Sequence, residues 1–152
     1  MKNLLLIFSV LLSTSIYAQI GPDGTGTVNG YYIGPGADLN FTNFEFANLS
    51  NSNLQNADLL DASLSFADLS NANLFFANLV LAELIGTNLS GANLGYASVR
   101  GNLTNANLDG ADLTNTDLRY ARLIGADLTG ATMINSNISD SIFKIIYLCF
   151  RK

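Results

Sequence analysis

The stretch ADLLDASLSFADLSNANL, residues 57–74, places a leucine at every fifth position: Leu59, Leu64, Leu69 and Leu74. The same spacing runs back to Leu39 and forward to Val99, restarts at Leu103 and continues to Phe143. Thirteen units precede the restart and nine follow it, 22 in all. Leu fills 17 of the central positions, with Phe44, Val99, Met133, Ile138 and Phe143 in the rest. Two residues before each centre stands a small side chain, Ala in 15 units and Ser, Thr or Gly in the others. One residue before it, Asp or Asn occurs 16 times. Self-similarity at a fixed period points to a solenoid.

A period of five fits neither regular element. On an α-helix five residues advance about 500°, so successive leucines would spiral around the axis. On a flat strand an odd period would alternate them between faces. Each unit therefore needs a turn that resets the chain direction. Four short sides closing a loop give a coil of about 20 residues, and coils stack through backbone hydrogen bonds about 4.8 Å apart. The 22 units then make about five and a half coils, roughly 26 Å tall. In this reading the central residue and the small residue two before it point inward, and the other three positions face solvent. Asn and Asp tolerate turn geometry and hydrogen-bond local backbone, which suits the position before the centre to a site flanking the corner. No unit buries its own leucine; only the stack does.

The pattern Ala37-Asp38-Leu39, Ala57-Asp58-Leu59, Ala67-Asp68-Leu69, Ala72-Asn73-Leu74 and Ala111-Asp112-Leu113 closely resembles the pentapeptide-repeat family over residues 37–143. The resemblance implies an all-β fold, a right-handed four-sided parallel β-helix. Tyr31-Tyr32-Ile33-Gly34-Pro35-Gly36 resembles segments that precede such repeats in exported members, and residues 19–36 read as a flexible start and N-terminal cap. One departure interrupts the pattern. Val99 and Leu103 are four residues apart, with Gly101 where Ala is expected. This is either a corner deletion or a kink between two sub-stacks.

Composition narrows the function. The chain has 152 residues, enough for one domain of ordinary size; 49% are apolar and 12% charged. The charged share is about half the usual one, so uncharged polar groups must cover the surface. A net charge of −5 gives no general attraction for nucleic acid or an anionic membrane. The absence of His removes the commonest general base and metal ligand. The single cysteine, Cys149, excludes an internal disulfide. No Ser or Asp pairs with a base in a nucleophile arrangement, and no loop has metal-site spacing. The sequence therefore points to no catalytic residues, no metal and no cofactor. The triplets Asn48-Leu49-Ser50 and Asn102-Leu103-Thr104 match glycosylation acceptors, but the repeat itself generates them.

Residues 1–18 read as a signal peptide: Lys2, an apolar run from Leu4 to Leu12, and Ala18 at the cleavage position. The run is too short to span a membrane. The expected location is secreted, periplasmic or cell-surface, with no membrane span after cleavage.

Units four apart share a side, so outward residues sort into columns. The column Asn48, Asp68, Asn88, Asn107 and Asp127, with Ser50, Ser70, Ser90, Asp109 and Thr129 beside it, reads as a solvated wall. Elsewhere Phe46 should stack on Phe66, Leu60 on Val80, and Phe75, Phe76 and Tyr96 should cluster. Those seven residues form a candidate contact surface, since contiguous exposed apolar area marks contact sites. Arg100 and Arg119 fall one coil apart with Arg122 on the next side, a candidate anion patch that Asp117 or Asp112 would neutralise.

Residues 144–152 continue an apolar segment. With Phe143, the residues Ile146, Leu148 and Phe150 form either a cap over the solenoid end or a pairing segment for a homodimer. The leading functional expectation is a noncatalytic extracytoplasmic structural or protein-interaction module, its partner an unknown protein or a second copy. The family resemblance implies an alternative, because some pentapeptide-repeat proteins are acidic DNA-mimic rods that bind DNA gyrase.

Overall fold

The computed structural model describes residues 19–143, so the signal segment 1–18 and the tail residues 144–152, with Ile146, Leu148 and Phe150, lie outside the described residues. From Asp38 to Ile142 the chain forms a ladder of isolated parallel bridges, most joining a residue to one 20 positions on: Asp38 to Asp58, Asn43 to Ser63, Asn48 to Asp68, Asn53 to Asn73. Four successive columns of bridges make a four-sided β-helix.

Each unit is one short side and one tight turn. The amide of the small residue donates to the preceding centre, as in Ala57 N to Leu54 O at 3.0 Å. The residue two after each centre but Val99 has a positive φ, such as Asn56 at 58° and Gly91 at 65°. A positive φ at the third turn residue is what a type II turn requires. Coils are tied by three bonds per side: Leu39 N to Asp58 O, Phe41 N to Leu60 O, and Asp58 N to Ala37 O, all 2.8–2.9 Å.

The Asp and Asn before each centre follow the corner and occupy the bridge positions of the side, and each side-chain oxygen accepts from the local backbone amide two residues on, as in Ser50 N to Asn48 Oδ1 at 3.0 Å and Gly95 N to Asn93 Oδ1 at 3.0 Å. An amide that no coil neighbour reaches is thereby satisfied. Carboxamides also reach between coils, with Asn78 Nδ2 donating to Asp58 Oδ1 at 2.7 Å. The three outward positions do not face solvent equally. The residues flanking the centre are mostly half-buried, and the positive-φ residue is the one that protrudes.

The four lines of protruding residues define four edges. Edge 1 carries Phe41, Asp61, Leu81, Tyr120 and Asp140. Edge 2 carries Phe46, Phe66, Gly86, Asn105 and Gly125. Edge 3 carries Asn51, Asn71, Gly91, Gly110 and Gly130, and edge 4 carries Asn56, Phe76, Tyr96, Asn115 and Asn135.

Inside, the central leucines from Leu39 to Leu118 and, apart from the partly buried Ala47, the alanines beside them are buried. Fully burying one such leucine stabilises by about 1.5–3 kcal/mol. Where Thr replaces Ala, its hydroxyl donates to a carbonyl, as in Thr87 Oγ1 to Leu64 O at 2.7 Å and Thr116 Oγ1 to Leu94 O at 2.8 Å. Ser52 Oγ is the exception, buried with no partner among the described residues.

The break at Val99–Leu103 leaves the ladder continuous. Glu83 pairs with Asn102 and Ser98 with Asp117, both 19 apart, and spacing returns to 20 at Asn102 and Arg122. The missing residue is one corner of edge 1. Gly101 passes so close to the coil above that a Cβ there would collide with the Ala82 carbonyl oxygen.

Before the coils, β1 (Gln19–Ile20), β2 (Gly26–Val28) and β3 (Tyr31–Ile33) form an antiparallel sheet in chain order. Asn29 and Gly30, at φ 52° and 83°, make the two-residue turn that a right-twisted hairpin favours. Val28 and Ile33 are buried and join the core, and Tyr31 packs edge-on to Phe44 with centroids 5.6 Å apart. Gly24 O accepts from Asn53 N at 2.6 Å, so the lead-in pairs with the first coil.

Candidate contact surface

Large apolar residues occupy three of the four edges. Phe41, Phe46, Phe66, Phe76, Leu81, Tyr96 and Tyr120 all have φ between 58° and 62° and are all exposed. Left-handed backbone costs a non-glycine residue about 1–2 kcal/mol, and a bulky one is an outlier there. Edge 3 shows the inexpensive solution, since it uses only Asn and Gly. The apolar edges therefore carry strain that edge 3 avoids.

Some of that cost is offset locally. Phe46 and Phe66 stack with centroids 5.4 Å apart and planes 8° from parallel. The ring of Phe66 lies over Gly86, where a Cβ would come within 2.8 Å of it. Phe76 and Tyr96 stack at 5.0 Å, and Phe75 meets both edge-on at 4.7 and 5.5 Å. Such pairs contribute about 0.5–1.5 kcal/mol each. The stacks still leave Phe46 73% exposed.

The expected contact residues thus divide. Phe46, Phe66, Phe76 and Tyr96 protrude, whereas Leu60, Val80 and Phe75 lie on the sides and are half-buried. Phe41, Leu81 and Tyr120 were not anticipated, although the same five-residue count places them on edge 1.

Of the three arginines of the candidate anion patch, Arg119 grips Asp117 with two bonds, Nε to Oδ1 at 2.9 Å and a terminal nitrogen to Oδ2 at 2.8 Å. Arg100 Nε stands 3.7 Å from the same carboxylate, too long for a hydrogen bond, and is buried without a partner among the described residues. The bond from Arg119 holds the Asp117 carboxyl below its usual range, and Asp117 raises Arg119 in return. Asp112 instead accepts from Thr114 N at 2.9 Å, and Arg122 is exposed.

A polar cavity of about 500 Å³ opens between the lead-in and the first coil, lined by Ile20, Gly21, Pro22, Asn48, Ser50 and Asn51. Among the described residues, no group of three His, Cys, Asp or Glu is placed to hold a metal, and no helix is long and apolar enough to cross a membrane.

The sequence matches the family profile described as pentapeptide repeats, in eight copies over residues 37–74, 67–101 and 102–135. No curated protein matches it. Among solved structures, QnrB1, described as a plasmid-mediated fluoroquinolone resistance protein, is similar at 28% identity and a TM-score of 0.53, over 70% of this chain and 58% of that one. A pentapeptide repeat protein from the thylakoid lumen of Arabidopsis thaliana is similar at 34% identity and a TM-score of 0.41, over 64% and 65%. HetL from the cyanobacterium Nostoc sp. strain PCC 7120, described as involved in heterocyst differentiation regulation, is similar at 31% identity and a TM-score of 0.37, over 72% and 60%. The chain spans between 58% and 65% of the length of these three solved chains.

Proposed function

This chain belongs to the pentapeptide-repeat family, whose fold is a right-handed four-sided β-helix, and on that premise we propose that it is a noncatalytic module that binds another protein outside the cytoplasm. The repeats read as about five and a half coils, with residues 19–36 as their cap. One observation carries the reading: exposed large apolar side chains occupy left-handed edge positions where Asn or Gly would sit without strain. Strain of this kind gathers at functional sites. The apolar run at residues 4–12, after Lys2, supports export.

The test is crosslinking in cells with tagged wild-type chain and with Phe46→Asn, Phe66→Asn and Phe76→Asn combined. Envelope crosslinks should vanish while the thermal melt stays level or rises. Identical crosslinks from both chains would sink the reading. Cell fractionation with sequencing of the mature N-terminus tests export separately, and a start at Gln19 is expected.

The similarity to QnrB1 favours a second reading, a rod that acts on DNA gyrase. Against it, the acids are interrupted by Asn along the columns, as in Asn48, Asp68, Asn88, Asn107 and Asp127, which makes a thin imitation of a phosphate row. Protection of gyrase supercoiling from a fluoroquinolone by the purified protein would favour this second reading over the first.

A further inference from the structure

Edge 1 is self-complementary when reversed. In order from the first coil it presents Phe41, Asp61, Leu81, a vacant corner beside Arg100, and Tyr120, one position per coil. A second copy turned antiparallel about Leu81 sets Phe41 against the partner's Tyr120, Asp61 against the vacant corner and Arg100, and Leu81 against its own counterpart. All coils share one spacing of about 4.8 Å, so the three kinds of contact fall in register together. Asp140 passes beyond the partner's Phe41.

We infer that edge 1 is an isologous dimer interface that takes a second, antiparallel copy of this chain. This rests on the reading of the apolar edges as contact surface and names the occupant of one of them.

Three independent features of the edge agree with that occupant. Phe41, Leu81 and Tyr120 are 70%, 61% and 64% exposed, and none of them has an aromatic stacking partner among the described residues, unlike Phe46, Phe66, Phe76 and Tyr96. The missing corner removes bulk at the coil where the partner's Asp61 arrives. Arg100 at that corner makes no hydrogen bond from its Nε among the described residues, its nearest carboxylate, Asp117, standing 3.7 Å away, and its side chain brings a positive charge beside the vacancy that an incoming Asp61 complements. A parallel copy would instead place Asp61 on Asp61 and Arg100 on Arg100, and like charges in apposition are disfavoured. In an isologous contact each pairing occurs twice.

Sedimentation velocity on the purified protein tests this with two charge reversals, Asp61→Arg and Arg100→Glu. Asp61 is exposed and Arg100 half-buried beside Asp117, so circular dichroism and a thermal melt check that each variant keeps the wild-type fold. Wild type should dimerise, more weakly at high salt. Each variant alone opposes like charges twice and should dimerise at least about tenfold more weakly. A one-to-one mixture of the two restores both contacts as opposite pairs and should dimerise within about threefold of wild type. Leu81→Lys, which sets two ammonium groups on the symmetry axis, should abolish the dimer.

A wild-type monomer, single variants that dimerise as wild type does, or a mixture no tighter than its components would each overturn the inference. A dimer formed through the tail at residues 144–152 would ignore both reversals and would count as the second of these outcomes. A wild-type monomer whose envelope crosslinks still depend on Phe46, Phe66 and Phe76 would defeat the dimer alone and leave the wider reading standing.

Discussion

Leu79 and Leu128 hold the same place in the repeat, yet Leu79 is fully buried and Leu128 only partly so. Met133 is also half-buried, and Ile138 and Phe143 are 46% and 39% exposed. The five-residue grammar does not change between these regions. What changes is the number of neighbouring coils. A residue in the middle is covered from above and below, while one in the last described coils is covered from one side, as quasi-one-dimensional stacks require. The first coil escapes this because Val28 and Ile33 lie over it. Burial in this molecule is therefore a property of the stack.

The largest test of that contrast is truncation of the core. Leu79→Ala should destabilise by about 2–5 kcal/mol, because the cavity is walled on all sides. Met133→Ala should cost less than about half as much, since solvent already reaches it. Urea unfolding of the two variants measures both, and equal losses would break the comparison.

The next test lies at the join of the two regions. Ala is the usual residue two before a centre, yet Gly101→Ala should lower stability by about 1–3 kcal/mol, an overpacking cost, since its Cβ meets the Ala82 carbonyl. Ala106→Gly, one unit later, should cost only about 1 kcal/mol or slightly more. A thermal melt that ranked them the other way would mean the coil accommodates Ala at the break.

Smaller effects separate the edges. Asn71→Phe would bring to edge 3 the strain of the others, at about 1–2 kcal/mol. Phe41→Asn should recover a similar amount, and Phe66→Asn close to none, because relief of strain is offset by loss of the Phe46 stack, itself about 0.5–1.5 kcal/mol. Equal gains at Phe41 and Phe66 would show that the stack contributes nothing.

These contrasts also mark what was legible in the sequence. The period of five gave the inward positions and the Phe46–Phe66 and Phe76–Tyr96 columns, because coil stacking is a counting problem. It placed the Asp and Asn before each centre beside the corner with bonds to local backbone, but it did not single out the residue two after the centre as the one that turns and protrudes. Turn propensity alone cannot tell an Asn in a left-handed turn from one whose side chain caps an amide on a flat side, and both occur here, at Asn56 and Asn93. Edge 1 escaped notice because its pairing, Phe41 with Tyr120 and Asp61 with the vacancy at Arg100, exists only in a reversed second copy. Equivalent positions within one chain do not display it.

The smallest expected effect lies at Asp117, on the coil below the break. Its carboxyl is depressed first by the hydrogen bond from Arg119, so its folded pKa lies below the unfolded one of about 3.9. A depressed acid contributes stability that is present above the unfolded value and lost as pH falls through the folded one. Asp127, lowered by the Thr129 hydroxyl, follows the same rule. The Asp117 pair is partly solvated, so solvent screening keeps its contribution small. Asp117→Asn should therefore be slightly destabilising at pH 7, and its effect should fade as the solution is acidified below the unfolded value and the wild-type carboxyl takes up its proton. Urea midpoints of the two proteins across that range should converge as the solution is acidified. If they instead diverge toward low pH, Arg119 is not held by this carboxylate, and the continuity of the ladder across the vacant corner owes nothing to the Asp117 side chain.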